Sequence, residues 1–439
     1  SIGGSGADFQ SIHDALNAIE ICGVSGPVTF NIANGTYTGQ YELSNITGAS
    51  TANTITFQSQ SGNATDVTFQ ISNVTDSDSN YVFKLNGADY MVFKNITVTN
   101  SSSQYATAFH FLNGADYNTI ESCIINSTPY SSTSTYSFYA APVYVDGYNG
   151  HNVFMNNELN GGTYGLAFED AAVSNQINDN IISGYHYTGI YTEDQDSLII
   201  KDNVIENGPT AGDAYGIYLT DNVNFGLIEG NQIHVHSTGS DDNIGISLEE
   251  VYGTSTDSVI VANNFVRQTE GTGNSTYGIE IDESKYVKVV YNTIKVEAGS
   301  NSASALRLYE PSYSPDGELC DFVNNNIVNE GPGYAVEISD GAAAGNMIDM
   351  FDYNNYYAAS GVLMEYDGLF RNSLTEVQGA TGQDQNSNSE NPVFVANDDL
   401  HALSSALNAA ALALPYITVD IDDDARDANS PDIGADEFA

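Results

Sequence analysis

The chain has 439 residues and a formal net charge of −47, because 57 acidic residues are balanced by only 10 lysines and arginines. A surface with so few bases cannot displace counterions from phosphates, so nucleic acid and anionic membrane surfaces are excluded as partners. Hydrophobic residues make up 41% of the chain, and its 29 tyrosines and 40 glycines are typical of a folded all-β protein with many turns. The sequence contains no run of 18 apolar residues, so direct insertion into a membrane is not predicted.

Residues 8–21 carry a helical pattern. Phe9, Ile12, Leu16 and Ile19 recur at the spacing of one helix face. We expect this helix to cover the first strands of a β structure, because an open sheet edge promotes aggregation. The sequence therefore predicts an N-terminal cap over residues 1–26.

A repeat dominates the chain from residue 142 onward. Each copy contains a small residue, a short apolar strand, an acidic turn, a second apolar strand and an Asn before further apolar residues. The small residues recur at intervals of 24 to 33 and are Gly165, Gly189, Gly216, Gly245, Gly278, Ala305 and Ala335. This period, with short strands and no helical signal, predicts a parallel β-helix whose stacked coils bury one core.

Alternation within each copy indicates which side chains face that core. The inward positions are Ile190, Ile217, Ile246, Ile279, Leu306 and Val336, followed two residues later by Leu219, Leu248, Ile281, Leu308 and Ile338. The recurrent Asn tolerates the left-handed turn conformation, and its amide can bond to the next coil, so we expect an internal asparagine ladder.

The period is lost after residue 370. We predict a β-helix of about 11–13 coils over residues 27–370 and an irregular C-terminal cap over residues 371–439, forming one structural domain overall. The three cysteines, Cys22, Cys123 and Cys320, are too far apart in such a stack for a disulfide, so we expect buried thiols.

Three segments carry a resemblance to a known family. They read Gly-Ala-Asp-Phe-Gln-Ser-Ile at residues 6–12, Asn-Gly-Thr-Tyr at 34–37 and Pro-Asp-Ile-Gly-Ala-Asp-Glu-Phe at 431–438. The chain resembles pectin-lyase-like right-handed parallel β-helix proteins, and more narrowly the secreted or surface proteins of Bacteroidetes. The resemblance implies a right-handed β-helix and export by type IX secretion to the cell surface or medium. The start at Ser1 is what removal of a signal peptide would leave.

Pectin-lyase-like folds host lyases, hydrolases, esterases and non-enzymes, so the residues must decide the activity. A polyuronate lyase needs a base and a cation that neutralises the substrate carboxylate. Lys285, Lys288 and Arg307 are the candidates for a Ca²⁺-assisted lyase. Arg307 is also predicted to lie between Glu280 and Glu337 of neighbouring coils, which would make it part of an ion-pair ladder.

Other catalytic patterns are incomplete. Asp241-Asp242 is similar to the paired Asp of polygalacturonases, but the accompanying Gly-His-Gly and Arg-Ile-Lys motifs are missing. Residues 195–198, Gln-Asp-Ser-Leu, are near a pectin-esterase motif whose other parts are absent. The seven histidines show no metal-binding spacing. These failures favour a non-catalytic protein over an enzyme.

Acidic residues recur at the turn of each coil and form one predicted column. Its members are Asp170, Asp194, Asp221, Glu250, Glu283, Glu310 and Asp340. Stacked like charges repel, and Ca²⁺ prefers several carboxylate oxygens, so the column is a candidate Ca²⁺ site. The alternative is that these carboxylates are solvated turn residues.

The C-terminal segment holds a second candidate Ca²⁺ site. Asp420, Asp422 and Asp424 alternate as at the start of a calcium loop, although the Gly at the sixth position and the distal Glu are missing. Arg426 could neutralise this cluster instead.

Three tyrosines are predicted to point outward. Tyr144, Tyr191 and Tyr218 fall in the column that Arg307 also occupies, where stacked rings would form a platform for sugars or a partner protein. Tyrosine is also simply a good strand former. The sequence thus favours an extracellular or cell-surface protein that acts as an adhesin, a polysaccharide-binding module or a subunit of an extracellular assembly. The alternative is the Ca²⁺-assisted lyase.

Overall fold

A computed structural model describes residues 1–128, 137–208, 212–221, 223–239, 241–273, 275–309, 320–339 and 348–438. The chain divides into two compact units, Ser1–Ile199 and Ile200–Ala439, which we call the first and second units. In each unit the chain runs repeatedly through three short strands, and equivalent strands of successive coils pair in parallel. The protein is an all-β, right-handed parallel β-helix, as predicted.

We name the three sheets A, B and C in the order in which each coil enters them. In the first unit, sheet A contains Val28–Ile32, Ile55–Ser59, Met91–Lys94, Thr119–Glu121, Val153–Met155 and Gln176–Asn178. Sheet B contains Gly35–Thr38, Val67–Ile71, Thr97–Asn100, Ile124–Ser127, Glu158–Asn160 and Ile181–Tyr185. Sheet C contains Tyr41–Ser44, Phe83–Asn86, Phe109–Leu112, Val143–Asp146, Tyr164–Glu169 and Thr188–Glu193. A small sheet pairs Ala172–Val173 with Gln195–Asp196, and 3-10 turns span Ala64–Asp66 and Phe138–Ala140.

The same order continues in the second unit. Sheet A contains Leu198–Lys201, at the division between the units, then Gly226–Glu229, Val259–Ala262, Val287–Val290, Cys320–Val323 and Ile348–Asp352. Sheet B contains Val204–Asn207, Gln232–Ser237, Phe265–Glu270, Thr293–Val296, Asn326–Asn329 and Asn355–Ala358. Sheet C contains Ala214–Thr220, Asn243–Glu249, Thr276–Asp282, Ser304–Tyr309, Tyr334–Ser339 and Met364–Tyr366, with Leu369–Arg371 added antiparallel. Sheets A and B each have twelve described strands, in agreement with the predicted coil number.

The predicted N-terminal helix is Ile12–Cys22. Ser11 caps it, because its hydroxyl accepts the Asp14 amide while the Asp14 carboxylate accepts the Ser11 amide. The helix buries Ile12, Leu16 and Ile19, the face that the sequence indicated. Its last residue, Cys22, is exposed, so the expected burial of that thiol is wrong, whereas Cys123 and Cys320 are buried.

The two units fill their cores differently. Phenylalanine rings stack in the first unit, where Phe57 lies 4.9 Å from Phe30 and 5.6 Å from Phe93 between ring centroids. Aliphatic side chains fill the second unit, where Ile246 pairs with Ile217 and Ile279 in adjacent strands and all are buried. Both arrangements are continuous columns with period 2, as the alternation predicted.

The small residue of the repeat has a steric cause. At Gly278 a Cβ would lie 2.2 Å from Ile294 Cγ2 and 2.6 Å from the Ala305 carbonyl oxygen. Gly245 is equally crowded by Val266 and Gly278. A side chain at these two glycines would therefore clash where sheet C begins to pass over the core side chains of sheet B, and later coils accept alanine at the same position.

The asparagine ladder is present, but its predicted backbone conformation is wrong. In the second unit the Asn231, Asn264 and Asn292 amides each donate to the Oδ1 of the next ladder residue, over 2.9 to 3.1 Å. The left-handed conformation belongs to the residue before each ladder position, as at Asn263 and Tyr291, with φ of 54° and 55°. The ladder Asn is selected for its buried amide rather than for its turn propensity.

The C-terminal segment closes the last coil and also runs back along the second unit. It contains the helix Leu374–Thr381 and a hairpin of Phe394–Ala396 with Asp399–Ala402. Tyr291 donates to the Leu412 carbonyl oxygen over 2.6 Å, and Asn263 donates to that of Val419 over 2.9 Å. Apolar residues of the segment also pack against Ala262, Val290, Tyr291 and Val323, which lie at the ends of sheet A strands.

Among the described residues, no helix is both long and apolar enough to span a membrane.

Candidate functional site

Of the three bases proposed for a lyase, the two lysines lie at sheet A and the arginine lies in sheet C. Lys285 precedes sheet A and sits over the Tyr252 ring, Lys288 is in sheet A, and Arg307 is in sheet C. Lys288 Nζ lies 3.6 Å from Asp321 Oδ2. Residues close in sequence are carried around the coil, so their proximity in the chain does not bring them into one centre. The structure therefore places Arg307 in a different sheet from the two lysines, each of which has its own partner.

Arg307 is held by two carboxylates and two rings. Its Nη1 lies 2.5 Å from Glu280 Oε1, and its Nε lies 3.4 Å from Glu337 Oε1. Its guanidinium carbon is 4.7 Å from the Tyr277 ring centroid and 4.6 Å from that of Tyr309. Burial opposes the charge, but Tyr277, Glu280 and Glu337 together raise the pKa of Arg307 above its ordinary value. The predicted ion-pair ladder is confirmed, and the cation is already neutralised.

The outer face of sheet C in the second unit consists of two neighbouring rows of side chains. One row is Tyr218, Ser247, Glu280, Arg307, Glu337 and Glu365, and the other is Thr220, Glu249, Asp282, Tyr309 and Ser339. We call this surface the sheet C face. It carries five carboxylates and one base, together with the rings of Tyr218 and Tyr309.

Burial raises the pKa of two carboxylates of the sheet C face, Asp282 and Glu280. Burial raises the pKa of Asp282 to about 7, and Glu280 and Glu249 add to the effect. Asp282 Oδ1 is buried with no hydrogen-bond partner in the described structure. Burial also raises the pKa of Glu280, although Arg307 and Ser247 oppose this by binding its carboxylate.

Two of the three predicted platform tyrosines lie in the first unit, within an aromatic cluster. Tyr144 is only 5% exposed, because Phe138 stacks on it at 5.7 Å and its hydroxyl donates to Glu169. Phe138 also lies 5.3 Å from the partly exposed Tyr191. Tyr144 therefore points outward as predicted but has no open ring face, which removes it from a ligand platform.

The third platform tyrosine, Tyr218, lies in the second unit. Its ring stacks on Tyr215 at 4.8 Å, and its hydroxyl donates to Glu249. It is partly exposed, as is Tyr309. The sequence analysis missed Tyr309 because it follows Arg307 by two residues and falls in the neighbouring row.

The acidic column occupies a common turn position in each unit. In the second unit Asp221, Glu250 and Glu283 have φ of 54°, 54° and 43°, and in the first unit Asp170 and Asp194 have φ of 72° and 52°. Burial and the neighbours Asp221 and Glu283 raise the pKa of Glu250. Glu310 and Asp340 lie outside the described residues. Among the described residues, the carboxylates of this column do not converge into a group of three potential metal ligands.

Asp420 has a different role from the predicted calcium ligand. It is buried, and its Oδ1 accepts the amides of Asp422 and Asp424 over 2.9 Å each, while its Oδ2 accepts the Glu437 amide over 2.8 Å. The three carboxylates of Asp420, Asp422 and Asp424 do not converge, since Asp422 and Asp424 are exposed. The predicted calcium loop is thus a backbone-binding turn.

Arg426 stabilises the same segment. It is buried, and its Nη2 donates to Asn263 Oδ1 over 2.8 Å and to the Gly434 carbonyl oxygen over 2.9 Å. Its Nη1 lies 3.4 Å from Glu437, and its guanidinium stacks 4.0 Å from the Tyr291 ring. Arg426 therefore pairs with Glu437 rather than with the Asp420 series.

One group of potential metal ligands does converge in the described structure. It consists of His401, Asp422 and Asp436, whose ligand atoms all lie within 4.8 Å of one another. Spacing in the sequence could not reveal it, because the three residues come from separate segments of the C-terminal region.

Comparisons with known proteins gave one family model and several similar structures. The family model "right handed beta helix region" matches residues 174–352. No curated protein sequence matches the chain. Among solved structures, the pectate lyase Pel9A is similar with a TM-score of 0.48 and 14% identity, over 98% of this chain and 92% of that one. The PL6-family alginate lyase AlyGC has a TM-score of 0.49 and 14% identity, over 85% of this chain and 56% of that one.

The Dettilon tailspike protein gp208 is a further similar structure. It has a TM-score of 0.47 and 14% identity, over 75% of this chain and 60% of that one. The matched region thus covers less than two thirds of the tailspike chain and of the AlyGC chain.

Proposed function

We propose that this protein is a non-catalytic, exported β-helix protein that binds a neutral polysaccharide along the sheet C face. The observation that supports this proposal is the combination of partly exposed tyrosine rings with five carboxylates around one neutralised arginine. Sugar rings stack their C–H faces on aromatic rings, and carboxylates accept hydrogen bonds from sugar hydroxyls. Such a protein would serve as an adhesin or as a subunit of an extracellular assembly.

The charge of the face argues for a neutral ligand. A polyuronate would bring carboxylates against Glu249, Glu337 and Glu365, and Arg307 has already bound two acidic partners. Like charges at these distances repel, and salt screens them only in part. Binding of an anionic chain would therefore require bridging cations.

The test is affinity electrophoresis or calorimetry with neutral glucans and xylans beside alginate and pectate. We expect binding to a neutral polysaccharide, and a loss of affinity of about fivefold or more in Tyr309→Ala, since an aromatic contact contributes about 1 kcal/mol beyond its buried area.

Tyr416→Ala is the matched control, because Tyr416 is an exposed tyrosine of the same unit that lies near Lys288 of sheet A. It should bind like the parent chain. Equal losses in both variants, or binding only to alginate or pectate, would contradict the proposed face or the proposed ligand class.

A second candidate function, glycoside hydrolysis, is favoured by one observation. Glycosidases use two neighbouring carboxyl groups, and Asp282 lies directly beside Glu249 in the adjacent strand, while burial raises the pKa of Asp282 to about 7. Release of reducing ends from a neutral polysaccharide, abolished in Asp282→Asn, would establish hydrolysis. Unsaturated products absorbing near 235 nm from alginate or pectate would instead support the lyase alternative, which the placement of Arg307 in a different sheet from the two lysines disfavours.

A further inference from the structure

Three carboxylates surround the imidazole of His401 at the end of the C-terminal hairpin. Nδ1 bonds to the carboxylate of Asp399, and Nε2 lies 2.8 Å from Asp422 Oδ2. The ligand atoms of Asp436 and Asp422 lie within 4.8 Å of each other and of the imidazole. Even a protonated imidazole would balance only one of these three charges.

The imidazole is oriented from both sides. Asp399 holds Nδ1, which leaves Nε2 directed toward Asp422, and the ring packs edge-to-face on Phe265 at 4.9 Å. A carboxylate on the far nitrogen is the arrangement that orients metal-binding histidines and increases their basicity. The hydrogen bond to Asp399 therefore orients the His401 ring as an outer-shell carboxylate does at a metal site.

The two other side chains are held at fixed positions by the backbone. The Asp420 carboxylate binds the amides of Asp422 and Glu437, and the Ile421 amide donates to the Ala435 carbonyl oxygen over 3.0 Å. The segments that carry Asp422 and Asp436 are thereby tied together before any ligand arrives. Among the described residues, the Asp436 carboxylate accepts no hydrogen bond, although the charges of His401 and Arg426 act on it.

We propose that His401 Nε2, Asp422 and Asp436 form a Zn²⁺ site, with Asp399 as the positioning residue. One imidazole and two carboxylates suit Zn²⁺, whereas Ca²⁺ and Mg²⁺ prefer oxygen ligands alone. Zn²⁺ would replace the proton between His401 and Asp422, and a small inward movement of Asp436 would bring all three to about 2.0–2.2 Å from the metal. Water would complete a four-coordinate shell.

The bound metal would join the hairpin, the 420–427 turn and the chain end at residues 433–438. These three segments cover sheet B through Phe265, Leu400 and Ala435, which form one apolar cluster. The site would therefore fasten the C-terminal segment. This inference does not rest on the proposed polysaccharide binding, and its test needs no polysaccharide.

The test is calorimetric titration of the chelator-treated full chain with ZnCl₂ in about 0.15 M salt, which limits unspecific binding to an acidic surface. We expect one strong site and a higher melting temperature with Zn²⁺. His401→Gln and Asp436→Asn should each weaken binding at least tenfold, and Asp399→Asn should weaken it by about 10–100-fold as outer-shell changes do. Co²⁺ in place of Zn²⁺ should give visible absorption that His401→Gln alters.

Asp424→Asn is the matched control, since Asp424 is an exposed aspartate of the same turn. It should bind Zn²⁺ like the parent chain, and circular dichroism should show that every variant is folded in chelator. No strong site, equal affinity for Ca²⁺, or unchanged binding in His401→Gln would overturn the proposal.

Discussion

At the residue scale, the unusual feature is a buried carboxyl, that of Asp384, on which no basic side chain among the described residues acts. Asp384 is fully enclosed at the end of the last coil, where its Oδ1 accepts the Tyr356 and Ser387 hydroxyls over 2.6 Å and 2.7 Å. Its Oδ2 has no hydrogen-bond partner in the described structure. Burial raises the pKa of Asp384 to about 7, against an ordinary value of 3.8, so the native state keeps the proton that the unfolded chain loses.

This difference predicts a stability that falls as the pH rises. Between pH 4 and 7 the folded chain binds more protons than the unfolded chain at Asp384, and the same holds for Asp282, so the free energy of unfolding decreases over this range. Asp384→Asn cannot ionise and retains the acceptor for Tyr356 and Ser387. We expect it to reduce the loss of stability between pH 5 and 8 by on the order of 2 kcal/mol.

Urea unfolding of both proteins at pH 5 and pH 8 measures the effect. Asp398→Asn, a change of an exposed aspartate, serves as the control and should keep the pH dependence of the parent. A variant as sensitive to pH as the parent would show that Asp384 is ionised in the native state.

At the scale of the element, the asparagine ladder joins the coils of the second unit. The Asn292 side chain accepts the Asn264 amide through Oδ1, and its Nδ2 donates to the Val261 carbonyl oxygen over 2.8 Å. Asn292→Ala removes both partners inside the core. Each buried group left unpaired costs about 1–3 kcal/mol, so we expect the free energy of unfolding to fall by roughly 3 kcal/mol.

Denaturant unfolding followed by circular dichroism gives this number. Asn301→Ala is the control, because Asn301 is an exposed turn residue of the same unit, and its change should stay within about 0.5 kcal/mol of the parent. A similar decrease in the free energy of unfolding in both variants would mean that the ladder asparagine stabilises the fold no more than an exposed asparagine does.

The elements that the sequence predicted are those whose cause is local. Alternation places Ile246 and Ile279 in the core, and the helical spacing of Ile12, Leu16 and Ile19 marks the capping face. The placement of functional groups depends on where each residue falls around the coil, and the spacing along the sequence does not specify this position. Arg307 is near Lys285 and Lys288 in sequence and lies in a different sheet for that reason.

The converse failure has the same origin. His401, Asp422 and Asp436 are distant in sequence and meet only because the C-terminal segment folds back on itself. Tyr144 was correctly placed on the outer side of its strand, but the covering ring of Phe138 comes from a preceding connection that no periodicity describes.

At the scale of the whole molecule, the C-terminal segment contacts several successive coils of the second unit. Asn263 binds Val419 and Arg426, Thr293 binds Ala435, and Asn324 binds Leu412 and the Gly434 amide. A deletion of residues 264–291 would keep the strand register, shorten the distance between the contacts at Asn263 and Asn324, and remove the Tyr291 contacts to Leu412 and Arg426. We expect this variant to expose its C-terminal segment to proteolysis and to melt at a lower temperature than the parent.

A deletion of residues 158–180 in the first unit is the matched change, since it also removes one coil between two ladder positions, Asn157 and Asn180. Limited proteolysis with mass spectrometry should show an intact C-terminal segment in this second variant. Equal sensitivity of the two deletions would contradict the distinction.

The backfolded segment therefore fixes the number of coils between its contacts at Asn263 and Asn324. Solenoids ordinarily grow and shrink by gain or loss of whole coils, because each coil contacts only its neighbours. Here a chain that gains a coil between Asn263 and Asn324 must also lengthen the segment that spans them, in the same event. Duplication can change the coil number freely where no segment contacts several coils. Where the C-terminal segment contacts several coils, the coil number stays constant.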